Sequence, residues 1–186
     1  MRKIIYGMMA SLDGYITGPD GGLDWAIIDA ELHTFVNNRE RKIGTFLYGR
    51  GLYETMAAHW PTADQNPDAP DFEVEYARIW QQIPKVVFSK TLEQVGDNTR
   101  LVRDNIFEEV RRLKAQPGAD MIVGGATLAA AFLAEGLVDG VEVYVHPVIV
   151  GSGTPFLPNV PQRTNLKLVE TQHFGSGVVF LSYEVA

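Results

Sequence analysis

Hydrophobic positions along this chain come in short runs separated by longer stretches in which they recur every three or four residues. KIIYGMM at 3–9, TFLYG at 45–49, KVVFS at 85–89 and MIVGG at 121–125 are nearly unbroken apolar runs, the pattern of strands buried on both faces. VEVYVHPVIV at 141–150 is longer and equally strand-like. Helical spacing appears between these runs. Ile28, Leu32, Phe35 and Val36 form a stripe within 26–39, and Leu52 and Met56 mark a turn or two after the second run. From Asp71, residues Phe72, Tyr76, Ile79 and Trp80 share one side. Asp104 is a predicted N-cap, with Ile106, Val110 and Leu113 lining the helix after it. ATLAAAFLAEG places Leu128 and Phe132 four apart and stops at Gly136. PTADQNPDAP at 61–70 is a loop by composition. The end of the chain differs: LKLVETQHF and GVVFLSYEV flank Gly175-Ser176-Gly177 and predict an antiparallel hairpin. Strands alternating with helices predict an α/β fold, a mainly parallel sheet covered on both faces, with the hairpin at one edge.

Composition narrows the classes. A chain of 186 residues suits one domain over 1–186. The absence of cysteine excludes disulfides, zinc–thiolate sites, iron–sulfur clusters and a cysteine nucleophile. A net charge of -7 argues against nucleic-acid binding, which needs a basic footprint. The opening MRKIIYGMMA has the outline of a signal peptide, but Ser11-Leu12-Asp13-Gly14 breaks the apolar run, and a buried strand is the better reading. No stretch approaches the ~20 apolar residues of a membrane span. The expectation is a cytoplasmic protein that acts on a small molecule, without a membrane or nucleic-acid partner. No spacing of His, Asp or Glu suggests a metal site.

The strongest local feature is Gly124-Gly125-Ala126-Thr127, where a buried strand ends and a helix begins at once. The unpaired N–H groups and dipole of a helix start favour an anion in front of it, and glycine lets a phosphate approach the backbone. The same glycines also serve a tight strand–helix turn, and the local sequence leaves both readings open. Tyr48-Gly49-Arg50-Gly51 and Ser89-Lys90-Thr91 likewise follow short strands. In a parallel sheet the carboxyl ends of the strands share one edge, where ligands bind. Arg50, Ser89 and Lys90 are groups suited to a 2′-phosphate.

Taken in order, Ser11-Leu12-Asp13-Gly14-Tyr15-Ile16, Leu47-Tyr48-Gly49-Arg50, Val87-Phe88-Ser89-Lys90-Thr91-Leu92, Ile122-Val123-Gly124-Gly125-Ala126 and His146-Pro147-Val148-Ile149-Val150-Gly151-Ser152-Gly153-Thr154-Pro155-Phe156 resemble the dihydrofolate reductase-like superfamily. The resemblance is nearest to the reductase domain of riboflavin biosynthesis, the RibD C-terminal type, and spans essentially the whole chain. It implies NADPH as hydride donor. Gly49 and Arg50 would then lie near the cofactor phosphates, Ser89 and Lys90 at the adenosine 2′-phosphate, and Gly124, Gly125, Ala126 and Thr127 at the pyrophosphate. Met9, Ala10 and Ile16 would line the nicotinamide pocket, and Gly18 to Trp25 would form the loop that closes over it. Apart from the resemblance, Trp25 and Tyr53 are candidates to stack on a flat substrate, with core or lid packing as the open alternative, and Gly151 and Phe156 are further candidates on the substrate side.

Two departures matter. Dihydrofolate reductases carry an acid early in the helix after that loop, whereas alignment on Trp25 puts Ala30 there, between Asp29 and Glu31. The deaminase domain that accompanies many such reductases needs cysteine ligands, and the chain has none. Water, or an acid among Asp13, Asp29 and Glu31, is the expected proton source; Asp13 reads equally as a polar turn residue that orients its loop, and Asp29 as a solvated i,i+4 partner of His33. The resemblance therefore implies an NADPH-dependent reductase of a small pteridine- or pyrimidine-like heterocycle, related to 5-amino-6-(5-phosphoribosylamino)uracil reductase. A true dihydrofolate reductase, or a non-catalytic ligand-binding protein that keeps the fold, stand beside that reading. A homodimer is expected from the long apolar run at 141–150 and the sheet pairing of related domains.

Overall fold

The computed structural model describes residues 1–186. Eight strands form a single sheet: β1 (Ile4–Ser11), β2 (Thr45–Gly49), β3 (Lys85–Phe88), β4 (Thr99–Val102), β5 (Met121–Gly124), β6 (Gly140–His146), β7 (Leu166–His173) and β8 (Val179–Val185). Their spatial order is β4-β3-β2-β5-β1-β6-β8-β7. The first six in that order are mutually parallel, β8 runs antiparallel to β6, and β7 antiparallel to β8. Five helices cover it: α1 (Ala30–Glu40), α2 (Arg50–His59), α3 (Asp71–Gln82), α4 (Ile106–Ala115) and α5 (Ala126–Ala134), with a 3-10 turn at Ala63–Gln65.

The unbroken apolar runs owe their character to burial on both sides. All residues of β3 and β5 are buried, as are the first four of β2. On one face, Ile4, Tyr6, Leu47, Val123 and Phe132 belong to a core closed by α4 and α5. On the other, Phe46, Tyr48, Tyr76, Trp80 and Ile122 pack with α2 and α3. A smaller cluster of Leu32, Tyr144, Phe174, Val178 and Phe180 seats α1 against the β6–β8 end of the sheet.

The sequence reading holds for this architecture and departs from it locally. The terminal hairpin is β7–β8, in the register Leu166 with Val185 through His173 with Val179. Residues 26–29 lie outside α1, and Ile28 is exposed, because Asp29 caps the helix by accepting from Leu32 N–H at 2.8 Å. The N-cap of α4 is Asn105 in a left-handed conformation, not Asp104. The strand at 141–150 ends at His146 and is paired on both sides, with β1 and β8, so its apolar character is explained within the chain.

Candidate active site

Four strand ends, those of β1, β2, β3 and β5, and the helix starts that follow β2 and β5, converge on one edge of the sheet. There a cleft of about 600 Å³ is lined by Met8, Met9, Ile16, Thr17, Gly21 and Leu23 on one side. Its other walls are the first residues of α2 (Arg50, Gly51, Leu52) with Gly49, and the first turn of α5 (Ala126, Thr127, Leu128) with Gly125, while Phe88 and Ile106 close its end. Neither α2 nor α5 has a side-chain cap at its N-terminus. In α5 the N–H groups of Ala126, Thr127 and Leu128 precede the first intrahelical bond, from Ala129 N–H to Gly125 O at 3.0 Å. Two uncapped helix starts thus open on the same space, each with glycine as its cap residue. Such starts are left unsatisfied by the chain itself and favour anionic oxygens.

The glycines have separable reasons. Gly124 is buried, and a Cβ there would collide with Leu52 Cδ2 and crowd the Tyr48 ring, so a side chain fits only if Leu52 moves. Gly125 has φ +95°, a conformation that L side chains rarely adopt. A Cβ on Gly51 would meet nothing within 4 Å, so bare backbone faces open cleft there. This donor set, two uncapped helix starts with bare glycine backbone and the Arg50 guanidinium at the rim, fits the pyrophosphate of a dinucleotide. Arg50 Nη1 donates to Thr91 Oγ1 at 3.3 Å, joining the β2 and β3 loops across the rim.

A second cavity of about 210 Å³ adjoins the first. Both are lined by Met8 and Met9, adjacent residues of β1 whose side chains lean to opposite faces. The rest of its wall is mostly apolar: Gly7, Ile28, Leu32, Val36, Met56, Trp60 and Ile122. Its polar wall comprises His33, Arg39, Glu40, Tyr76, Glu142 and Tyr144. Arg39 pairs with Glu142 and, at 2.9 Å, with Glu170, and its guanidinium lies 4.5 Å from the Phe180 ring centroid. The Arg39 Nε–H is nevertheless buried without a partner. Glu40 Oε2 accepts from Tyr76 Oη at 2.7 Å. Burial, reinforced by the nearby Glu142 carboxylate and opposed by the Tyr76 hydrogen bond, pushes the Glu40 carboxyl up to about 7. Burial also holds the Tyr48, Tyr76 and Tyr144 hydroxyls well above their usual range and His33 below its own, so these four are neutral near pH 7.

The residues expected from the sequence divide clearly. Met9, Ile16, Gly49, Arg50, Gly125, Ala126 and Thr127 all line the larger cleft, with Gly124 directly beneath. Ala10 is buried in β1 opposite Val145 and lines neither cavity. Ser89 and Lys90 lie beyond the rim. The Ser89 hydroxyl accepts from Thr91 and Leu92 N–H at 3.2 and 3.0 Å, and Lys90 stands 3.9 Å from Asp104.

The three expected proton donors have other partners, and none lines either cavity. Asp13 accepts from the Ser11 hydroxyl at 2.7 Å and from Val150 and Gly151 N–H at 3.1 and 2.7 Å. Those bonds hold its carboxyl below the usual range, which makes it a fixed acceptor that ties the 12–14 turn to the 147–151 loop. Asp29 is the α1 cap, and Glu31 accepts from Gly175 N–H at 2.9 Å.

The expected substrate-side residues are likewise occupied elsewhere. Tyr53 is buried, and its hydroxyl accepts from Gly96 N–H at 2.7 Å, pinning the loop before β4. The Trp25 ring meets His146 edge-on at 5.4 Å. His146 in turn accepts from Ile27 N–H through Nδ1 at 3.1 Å. Phe156 stacks on Tyr6 at 4.5 Å, and its carbonyl accepts from the Tyr6 hydroxyl at 2.6 Å. Glu40 and Arg39 were invisible to sequence reasoning, since position 40 reads as an ordinary charge at a helix end. The one available signal was Tyr76, four residues before Trp80 on the helix that covers them.

A mainly parallel sheet whose strand ends face two uncapped helix starts, closed by an antiparallel hairpin, is a dihydrofolate reductase-like fold. The sequence matches the RibD C-terminal domain over residues 2–180, and the chain belongs to that family. It is 40% identical to the uncharacterized protein YyaP of Bacillus subtilis (strain 168) over 185 residues, 98% of this chain and 94% of that one. Among solved structures it is similar to a Shewanella sp. PV-4 protein assigned to riboflavin biosynthesis, with a TM-score of 0.75 and 20% identity over 100% of this chain and 99% of that one. It is also similar to the dihydrofolate reductase of Enterococcus faecalis complexed with NADP(H), with a TM-score of 0.66 and 14% identity over 98% and 96% of the two chains.

Proposed function

We propose that the protein is an NADPH-dependent reductase, in which the larger cleft holds the cofactor and the adjoining cavity holds the molecule to be reduced. The observation that carries the reading is the shared Met8–Met9 wall. It lets a nicotinamide ring and a small substrate meet at one place, with apolar side chains making up most of the smaller cavity's wall. The cofactor supplies the hydride, and the protein supplies orientation and a dry, shaped site. The first turns of α2 and α5 hold the phosphates, Arg50 adds charge at the rim, and Met9 and Ile16 border the nicotinamide. Lys90 and Ser89 attend the adenosine end. Folate gains no support as substrate, since Ala30 is exposed and its acidic neighbours are engaged with backbone N–H groups.

Titration with NADPH and NADH tests this, read by cofactor fluorescence. NADPH binds more tightly than NADH. Arg50→Ala weakens NADPH by roughly tenfold, the worth of one charge-assisted hydrogen bond. Gly125→Val, which puts a β-branched side chain at φ +95° facing the phosphate seat, abolishes binding of both. Absence of NADPH binding by the wild-type chain ends the proposal.

The homodimer belongs to the same reading. Its support is β7, an edge strand exposed along all eight residues, with Leu166, Leu168 and Val169 among the exposed large apolar side chains.

A further inference from the structure

The polar wall of the smaller cavity goes beyond the reductase reading, on which this inference rests. We propose that Glu40 is the proton donor of the site, and that the cavity admits a small, uncharged, phosphate-free molecule with a C=N bond.

The geometry excludes a phosphorylated substrate. The charged or chargeable groups facing Glu40 are Arg39 and His33 of α1, Tyr76 of α3, Tyr48 of β2, and Glu142 and Tyr144 of β6. Arg39 is the one permanent cation among them, and it is already shared by two carboxylates, Glu142 and Glu170. A phosphate entering here would meet carboxylates with no free cation to offset them, and like-charge juxtaposition of this kind rejects a ligand. A cavity of about 210 Å³ is also smaller than the sites of drug-sized ligands. Polar groups of this lining remain for a ligand: the Tyr144 hydroxyl and His33 Nε2 make no hydrogen bond within the chain, whereas the unpartnered Arg39 Nε–H is itself buried and offers no surface. The Glu40 carboxyl is the acid among them, steadied by Tyr76 through Oε2 with Oε1 left unbonded.

A carboxyl pushed up to about 7 still holds a proton near neutral pH, and the nitrogen of a C=N bond is basic enough to take it as hydride arrives. In the step, the carbon of the C=N bond accepts a hydride from the reduced nicotinamide as the nitrogen takes the proton from Glu40. The product is the amine, the cofactor leaves oxidised, and the Glu40 carboxylate regains a proton from water.

The test uses the whole chain and Glu40→Gln, an amide that keeps the Tyr76 hydrogen bond but donates no acid proton. NADPH titration of both comes first: equal affinities show that the variant is folded with its cofactor cleft intact. Failure of the wild-type chain to bind removes the reductase reading itself. A cofactor-free readout follows, the wild-type minus E40Q infrared difference spectrum between pH 5 and 9. A protonated carboxyl band that vanishes with a midpoint near 7 is expected, and a Glu40 already ionised at pH 5 overturns the proposal. The third measurement is single-turnover reduction of 3,4-dihydroisoquinoline, a two-ring imine without phosphate, at pH 8, where the imine itself is largely unprotonated. There E40Q loses ~100-fold or more relative to wild type, the usual worth of a positioned acid. An E40Q rate equal to wild type overturns Glu40 as donor. No turnover of the imine by a chain that binds NADPH, or faster turnover of 5-amino-6-(5-phosphoribosylamino)uracil, overturns the substrate class.

Discussion

At the scale of single residues, Glu40 carries a stability consequence separate from any chemistry. Its carboxyl is pushed from the ordinary 4.5 to about 7 by burial, so folding favours the neutral form. The contribution is complete below about pH 4.5 and is lost as pH rises through 7. Glu40→Gln is therefore as stable as wild type at pH 4.5 and more stable at pH 8, by about 1–2 kcal/mol after allowance for partial exposure. Urea unfolding at the two pH values reads the difference. The environment of this residue was not legible in the sequence, because its partners lie 36 and 102 positions away at Tyr76 and Glu142. Gly124 and Gly125 were legible, because the strand before them and the helix after them are local patterns. Asp13, Asp29 and Glu31 attracted notice by proximity to the motif, yet short acidic side chains near turns and helix starts have backbone N–H groups close at hand, and those are what they bind.

Among the elements, α1 depends on one carboxylate. Asp29 satisfies the Leu32 N–H, and the helix so begun brings Leu32, His33, Val36, Arg39 and Glu40 to the cavity. Asp29→Ala costs about 1 kcal/mol of stability by loss of the cap, measurable as a fall in melting temperature, and leaves the proposed NADPH affinity unchanged because α1 does not line the larger cleft. The interior of this helix is unusual in burying Asn37, whose amide donates to Phe72 O at 2.9 Å and to Glu75 at 2.7 Å, fastening α1 to α3. With both amide hydrogens given away, Asn37 Oδ1 accepts from His33 Nδ1 at 3.0 Å, which fixes the neutral histidine tautomer. A helical stripe foretells apolar contacts of this kind but not a polar fastener. The strand β4 escaped notice for a related reason: Thr99-Arg100-Leu101-Val102 is only four residues long, buries Val102 alone, and so lacks the apolar run that marked β3.

The whole molecule has one edge that is protected and one that is not. At the β4 edge the strand is short, and Arg100 pairs with Glu109 of α4. The β7 edge is eight exposed residues, with Leu166, Leu168 and Val169 at its start followed by polar side chains and a register shift between Leu168 and Glu170. Sedimentation of the wild-type chain at micromolar concentration yields a dimer, and Val169→Lys yields a monomer with its NADPH affinity retained. A wild-type monomer removes the homodimer. The sheet order itself was only partly readable. Alternation of strand and helix implied parallel pairing, and Gly175-Ser176-Gly177 implied the hairpin, but nothing in the sequence says that β1 lies between β5 and β6. That position makes β1 the centre of the sheet and carries Met8 and Met9 to the meeting point of the two cavities.

The single-strand partition at Met8 and Met9 has a consequence for how such a protein diversifies. The larger cleft is walled by the starts of α2 and α5, and the cavity beyond the partition by α1, β6, Tyr76 of α3 and Met56 near the end of α2. Few residues serve both. On the reductase reading, substitutions around Arg39 and Glu40 are free to exchange one reducible molecule for another while the larger cleft stays as it is, so relatives sharing this scaffold can diverge in what they consume and still draw on one source of reducing power.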